Sequence, residues 1–168
     1  MANIKTDLKN LDKVKLIQLI TDLYKKNKSV REYVDFFIKP DELSAFSSYR
    51  EKVFEAFYPR RGFGPKLSAG KQAISEFKKL EASPELVADL MLFYVETGVE
   101  FTNEFGDIDE GFYSSLGSTY GSALKLMKKE GILAKFSKRA KKVVEDTDKI
   151  GWGFHDHLWH TYYTFYDD

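Results

Sequence analysis

The chain has 168 residues, with 26 acidic and 26 basic side chains, three histidines and no cysteine. That length suits one compact domain spanning residues 1–168, with a core that needs no covalent staple. The missing cysteine excludes disulfides, thiolate metal sites and cysteine nucleophiles, and the balanced charge excludes a global field drawing in nucleic acid or membrane.

Residues 1–10 lack the apolar core of a signal peptide. The densest apolar run, residues 90–95, is far shorter than the ~20 residues that span a bilayer. The expectation is a soluble cytoplasmic protein with no membrane role. Over residues 12–27, Val14, Leu16, Ile17, Leu19, Ile20, Leu23 and Tyr24 give a broad apolar face at helical spacing, with Asp12 as N-cap. Val30, Tyr33, Val34, Phe37 and Ile38 repeat the pattern until Pro40, which pushes its predecessor out of the α region. Asp41 is placed to cap a third helix through Leu43, Phe46, Val53, Phe54, Phe57 and Tyr58, which Pro59 ends. Ser68 is expected to cap a fourth helix after the loop 60–66.

Ser83 and Pro84 open the fifth helix as N-cap and N1. Its first half, from Leu86 to Val95, has almost no polar face, which predicts the buried central helix. Gly106 closes it, and Asp107 with Glu110 predicts a capping box for the sixth. Inside the sixth, Ser114, Gly117, Ser118, Gly121 and Ser122 make a small-residue face. Each glycine costs about 1 kcal/mol there, so another helix should approach closely, with Gly98 of the central helix one candidate. Gly131 terminates it. A seventh helix follows, placed to end at Gly151, and an eighth carries the aromatic tail Trp159, Tyr162, Tyr163, Phe165 and Tyr166. No segment alternates with period two, so the fold class is all-α: about eight helices in antiparallel pairs, as a bundle or short solenoid-like array.

Charge is uneven along the chain. Eight acids and no base fall between Glu85 and Phe112, whereas eight bases and one acid fall between Lys125 and Lys142. The two regions are expected to lie together and neutralise one another, which competes with a role in steering partners. The segment 151–160 concentrates His155, His157, His160, Trp152, Trp159 and Asp156. Three imidazoles suggest a metal site, yet on a helix His155 and His157 point to nearly opposite sides, and Asp156 also serves as a helix cap. Glu96, Glu100 and Glu104 recur every four residues on one stripe, and a mixed site with Asp156 or His155 is conceivable. Arg60, Arg61 and Lys66 with the Ser68 helix start form a candidate anion site, set against an ordinary solvated turn.

Several stretches carry a resemblance: the Leu16-to-Tyr24 helix followed by Val30-Arg31-Glu32-Tyr33, the turn Gly64-Pro65-Lys66-Leu67-Ser68 into Ala73-Ile74-Ser75-Glu76-Phe77-Lys78-Lys79, then Glu100-Phe101-Thr102-Asn103-Glu104-Phe105-Gly106 and Gly151-Trp152-Gly153-Phe154-His155-Asp156. Together they resemble a bacterial domain-of-unknown-function family of small helical proteins, over nearly the whole chain. The resemblance implies a single helical domain and supplies no activity. It points toward one pocket shared by Lys66, Glu100, Asn103, Glu104, His155 and Asp156.

The reading that results is a non-enzymatic helical binding or scaffold protein, monomer or weak homodimer, with no cofactor. Its polar groove is expected near Glu100 and Asp156, lined also by Lys66, Glu96, Asn103, Glu104, Trp152 and His155, for an unknown protein or small polar ligand. The alternatives are a metal-dependent, hydrolase-like enzyme using His155, Asp156 and His160, and nucleic-acid binding through the basic helix 133–149. The last is disfavoured because no aromatic residues interleave with its bases.

Overall fold

The computed structural model describes residues 3–62 and 64–167, so Phe63 of the glycine-flanked loop lies outside it. Among the described residues the chain forms nine α-helices and no strand. The all-α fold class is therefore shown. The eight expected helices correspond to α2–α9, and α1, a six-residue helix, has no counterpart among them. The chain divides into two compact units, with the boundary between Asp41 and Glu42.

The first unit holds α1 (Ile4–Lys9), α2 (Lys13–Lys26) and α3 (Lys28–Ile38). Asp12 caps α2 as its sequence position suggests: its carboxylate accepts the Lys15 backbone N–H at 2.8 Å. Helices α2 and α3 pack on each other as a hairpin. The Tyr24 hydroxyl donates to Asp35 Oδ1 at 2.9 Å, and the Arg31 guanidinium lies over the Tyr24 ring. None of the three helices contains a buried residue.

The second unit holds α4 (Glu42–Phe57), α5 (Leu67–Lys79), α6 (Pro84–Phe105), α7 (Glu110–Lys129), α8 (Leu133–Glu145) and α9 (Phe154–Tyr166). Helix α6 is the central one, as its nearly all-round apolar first half predicts, and packs against α4, α5, α7 and α8. Helix α9 closes over α7 and α8. The core is aromatic: Phe57, Phe77, Tyr94, Phe112 and Tyr120 are fully buried. Among the described residues every buried side-chain nitrogen and oxygen has a hydrogen-bond partner, as buried polar groups require.

Four local expectations are corrected. Helix α5 begins at Leu67 with Lys66 in the cap position, so Ser68 sits inside the first turn and caps nothing. Ser83 does precede Pro84 at N1, but its side chain makes no cap bond; its N–H donates to Glu42 Oε1 instead. The cap of α7 is Asp109, which accepts the Phe112 N–H at 2.8 Å. Asp107 is diverted from that role because it accepts the Tyr113 hydroxyl at 2.6 Å. That same hydroxyl accepts the Ile108 N–H and meets Thr102 Oγ1 at 2.7 Å, so one phenol gathers the whole α6–α7 turn. Finally, α8 ends at Glu145, six residues before Gly151. Thr147, fully buried, turns its hydroxyl back onto the Val144 carbonyl at 2.6 Å.

Close approach constrains three glycines, and a methyl at Gly70 would lie 2.7 Å from the fully buried Tyr94 ring. A methyl at Gly98 would lie 2.5 and 2.7 Å from the two Leu116 methyls and 3.1 Å from Phe57. A methyl at Gly117 would lie 2.7 Å from the His157 ring. The small-residue face of α7 thus receives α9, while Gly98 receives the Leu116 side chain of α7.

Candidate functional site

The turn between α8 and α9 begins from a buried threonine and ends in two left-handed residues, Trp152 (φ 59°) and Gly153 (φ 63°). This reversal starts α9 at Phe154 and sets its faces. His155, Trp159, Tyr162 and Tyr163 follow the spacing i, i+4, i+7, i+8, which places them on one stripe. Opposite them stand Lys141, Val144 and Glu145 of α8 and Asp148 of the turn. These eight residues line a cleft of about 400 Å³, within the size range of small-ligand sites.

The cleft is aromatic and charged. The Trp159 and Tyr163 rings lie 4.4 Å apart between centroids, and Tyr162 meets Tyr163 edge-on at 5.2 Å. Burial raises the Tyr162 hydroxyl pKa, against the opposing pull of the Lys141 ammonium. Lys141 and Glu145 approach within 4.0 Å along α8, whereas no cation among the described residues pairs with the Asp148 carboxylate. His155 Nδ1 lies 3.0 Å from Thr147 Oγ1. The Thr147 hydroxyl proton is committed to the Val144 carbonyl, so His155 Nδ1–H is the donor in this pair.

Across α9, a second cavity of about 360 Å³ is lined by Glu110, Tyr113, Ser114, Ser118, Trp152, Gly153, Phe154 and His157. The segment that concentrates the histidines therefore separates two hollows. His155 faces one, His157 packs over Gly117 by the other, and His160 is exposed with its ring 5.5 Å from Trp159. Among the described residues no three His, Asp or Glu side chains form a group able to hold a metal ion. His155, Asp156 and His160 are accordingly not assembled as ligands; Asp156 is on the exposed side of the first turn of α9.

The family model described as a family of unknown function, DUF6155, matches residues 1–165. The chain belongs to that family. No curated protein and no solved structure matches it. The expected resemblance to a domain-of-unknown-function family is met, and DUF6155 brings no activity with it.

The acidic and basic stretches of this DUF6155 chain do meet. Arg139 of α8 holds Glu96 with two bonds of 2.6 and 2.8 Å and reaches Asp89 at 2.9 Å, while Lys135 pairs with Glu85 at 2.6 Å. Burial opposes the Arg139 charge, but the bonds and charges of Glu96 and Asp89 outweigh it and raise its pKa. Glu96 is thus a clasp between α6 and α8. Asn103 donates to the Asp146 carbonyl at 3.0 Å, holding the start of the α8–α9 turn to α6. Glu104 accepts from the Tyr58 hydroxyl at 3.2 Å. Burial, then the Glu104 bond and the charges of Glu104 and Glu100, push Tyr58 up to about 12.

Of the residues singled out in the sequence as groove-lining, His155 alone lines the α8–α9 cleft, and Trp152 lines the second cavity. Glu100 and Asp156 are exposed and line neither. In the candidate anion segment, Arg60 is held by Glu51 at 2.7 Å and by Glu55 at 2.5 Å, both on α4. Arg61, Lys66 and Ser68 are exposed around the start of α5, with the Lys66 N–H donated to the Ala56 carbonyl. The basic helix spends Lys135, Arg139 and Lys142 on ion pairs with Glu85, Glu96, Asp89 and Asp146, which removes cations a nucleic-acid backbone would need.

Proposed function

We propose that this member of DUF6155 is a non-enzymatic binding protein of the bacterial cytoplasm, and that the α8–α9 cleft takes a cationic side chain from a partner protein. The lack of cysteine fits a reducing compartment. No helix among the described residues is long and apolar enough to cross a membrane. The observation that carries the reading is the grouping of Trp159, Tyr162 and Tyr163 with the uncompensated Asp148 carboxylate around one cleft. Aromatic faces attract an ammonium or guanidinium by about 0.5–2 kcal/mol, and a nearby carboxylate adds to that attraction. His155, held by Thr147, stands on the same wall of the cleft.

The test uses a Trp152→Phe background, in which Trp159 is the sole indole. Tetramethylammonium and N-acetyl-arginine amide are titrated while Trp159 fluorescence is followed. Saturable change at millimolar concentration is expected, weakened about fivefold or more by Asp148→Asn and unaffected by Asp156→Ala. No saturable change up to roughly 100 mM, or equal binding by Asp148→Asn, removes the cleft from consideration as a cation site.

A further inference from the structure

Helices α5 and α7 both pack on α6, and a further hollow of about 280 Å³ opens between them. On α5, Lys71, Ile74, Ser75 and Lys78 follow the spacing i, i+3, i+4, i+7, so two ammonium groups bracket an apolar residue and a hydroxyl on one stripe. Met91 of α6 adds to the apolar floor and, like Ile74, is buried. The α7 wall is small and neutral. Its Ser118 and Thr119 hydroxyls donate to the Ser115 carbonyl at 3.0 and 2.9 Å, and Ser122 donates to the Ser118 carbonyl at 2.8 Å. No acid lines the hollow. Among the described residues neither Lys71 nor Lys78 pairs with a carboxylate; Glu76, the one acid of α5, meets Lys52 at 3.9 Å and Gln72 at 2.9 Å instead.

We propose that this hollow binds a small organic dianion, an aliphatic dicarboxylate whose two acidic ends meet Lys71 and Lys78 while its carbon chain lies over Ile74 and Met91. The volume falls just below the usual range for ligand sites, which restricts the occupant to a small molecule. Two helical turns separate the lysine backbones by about 10 Å, so the two ammonium groups can take opposite ends of one ligand. Neighbouring atoms strip water from the Lys78 ammonium and lower its pKa, with no carboxylate to offset the loss. An anionic ligand supplies that missing partner. Ser75, whose hydroxyl has no partner among the described residues, stands between the lysines as a donor to an acidic oxygen. The long lysine stems add apolar cover along the carbon chain.

The test is titration calorimetry of the full chain at low ionic strength, with glutarate and adipate beside butyrate and inorganic phosphate. Saturable binding of at least one dicarboxylate, with a Kd of about 1 mM or tighter, is expected. Butyrate and phosphate should bind about tenfold more weakly or not at all, since each meets one lysine only. Lys71→Gln and Lys78→Gln keep most of the stem and remove the charge, and each should weaken the dicarboxylate about fivefold or more. Lys79→Gln, beside the hollow but outside its lining, should leave the affinity unchanged. All three lysines are exposed, so an unchanged fluorescence melt is expected of each variant. No saturation by either dicarboxylate up to roughly 20 mM overturns the proposal. Butyrate or phosphate binding as tightly as the dicarboxylate overturns it too, and so does full affinity in both hollow-lining variants. An equal loss in Lys79→Gln assigns the binding to general charge attraction and overturns the site.

Discussion

Gly98→Ala sets two known quantities against each other. In a helix interior the change gains about 1 kcal/mol from propensity alone. Against this, the new methyl would meet both Leu116 methyls at 2.5 and 2.7 Å and Phe57 at 3.1 Å. Leu116 and Phe57 are both fully buried, so neither can swing into solvent, and overpacking of this kind costs about 1–3 kcal/mol or more. The net expectation is a loss of up to about 2 kcal/mol, a fall in Tm of roughly 4 °C per kcal/mol for a unit of this size. Urea denaturation followed by tryptophan fluorescence reads the second unit alone. A cycle with Leu116→Ala adds a sharper measure: the methyl introduced by Gly98→Ala should partly fill the space left by Leu116, giving a coupling of about 1 kcal/mol or more. A variant more stable than wild type would show that propensity wins and that α6 and α7 do not cross this closely.

Arg139→Met should lower stability by about 1–3 kcal/mol, since Glu96 and Asp89 would lose their shared cation in a partly buried setting. Adding Glu96→Gln should recover part of that loss, and additive losses in the double variant would mean the clasp is not formed. The Tyr58 pKa lies near 12 in the folded chain, above the ordinary 10.0. Folding therefore favours the protonated phenol, so its contribution is complete below pH 10 and drains away as pH rises toward 12. Urea midpoints at pH 9, 10.5 and 11.5 should fall less steeply for Tyr58→Phe than for wild type.

The fold is plain in the sequence where one signal dominates. Helix α6 shows this best, with Ser83-Pro84 at its start, Gly106 at its end and almost no polar face in its first half. Caps are misplaced where two candidates stand close together. Asp107 and Asp109 look alike in sequence, and only the Tyr113 hydroxyl decides between them. The complementary charges of α6 and α8 are visible as a pattern, although which arginine clasps which carboxylate is not. The cleft is the least legible feature. Its aromatic wall is present as the spacing 155, 159, 162, 163, but such a stripe reads equally well as core. Its opposite wall depends on α8 stopping at Glu145, a break that Thr147 makes and that no glycine or proline marks.

The Tyr113 hydroxyl has a further consequence for the evolution and engineering of this chain. Surface turns ordinarily absorb inserted residues with little penalty. The α6–α7 turn has no such slack, because one phenol measures it from both sides: Thr102 before the bend, Asp107 and Ile108 within it. An extra residue between Gly106 and Asp109 would shift Asp107 out of register with that oxygen and leave a half-buried network short of a partner. The four residues from Gly106 to Asp109 thus act as a fixed gauge that keeps α7 in step with α6.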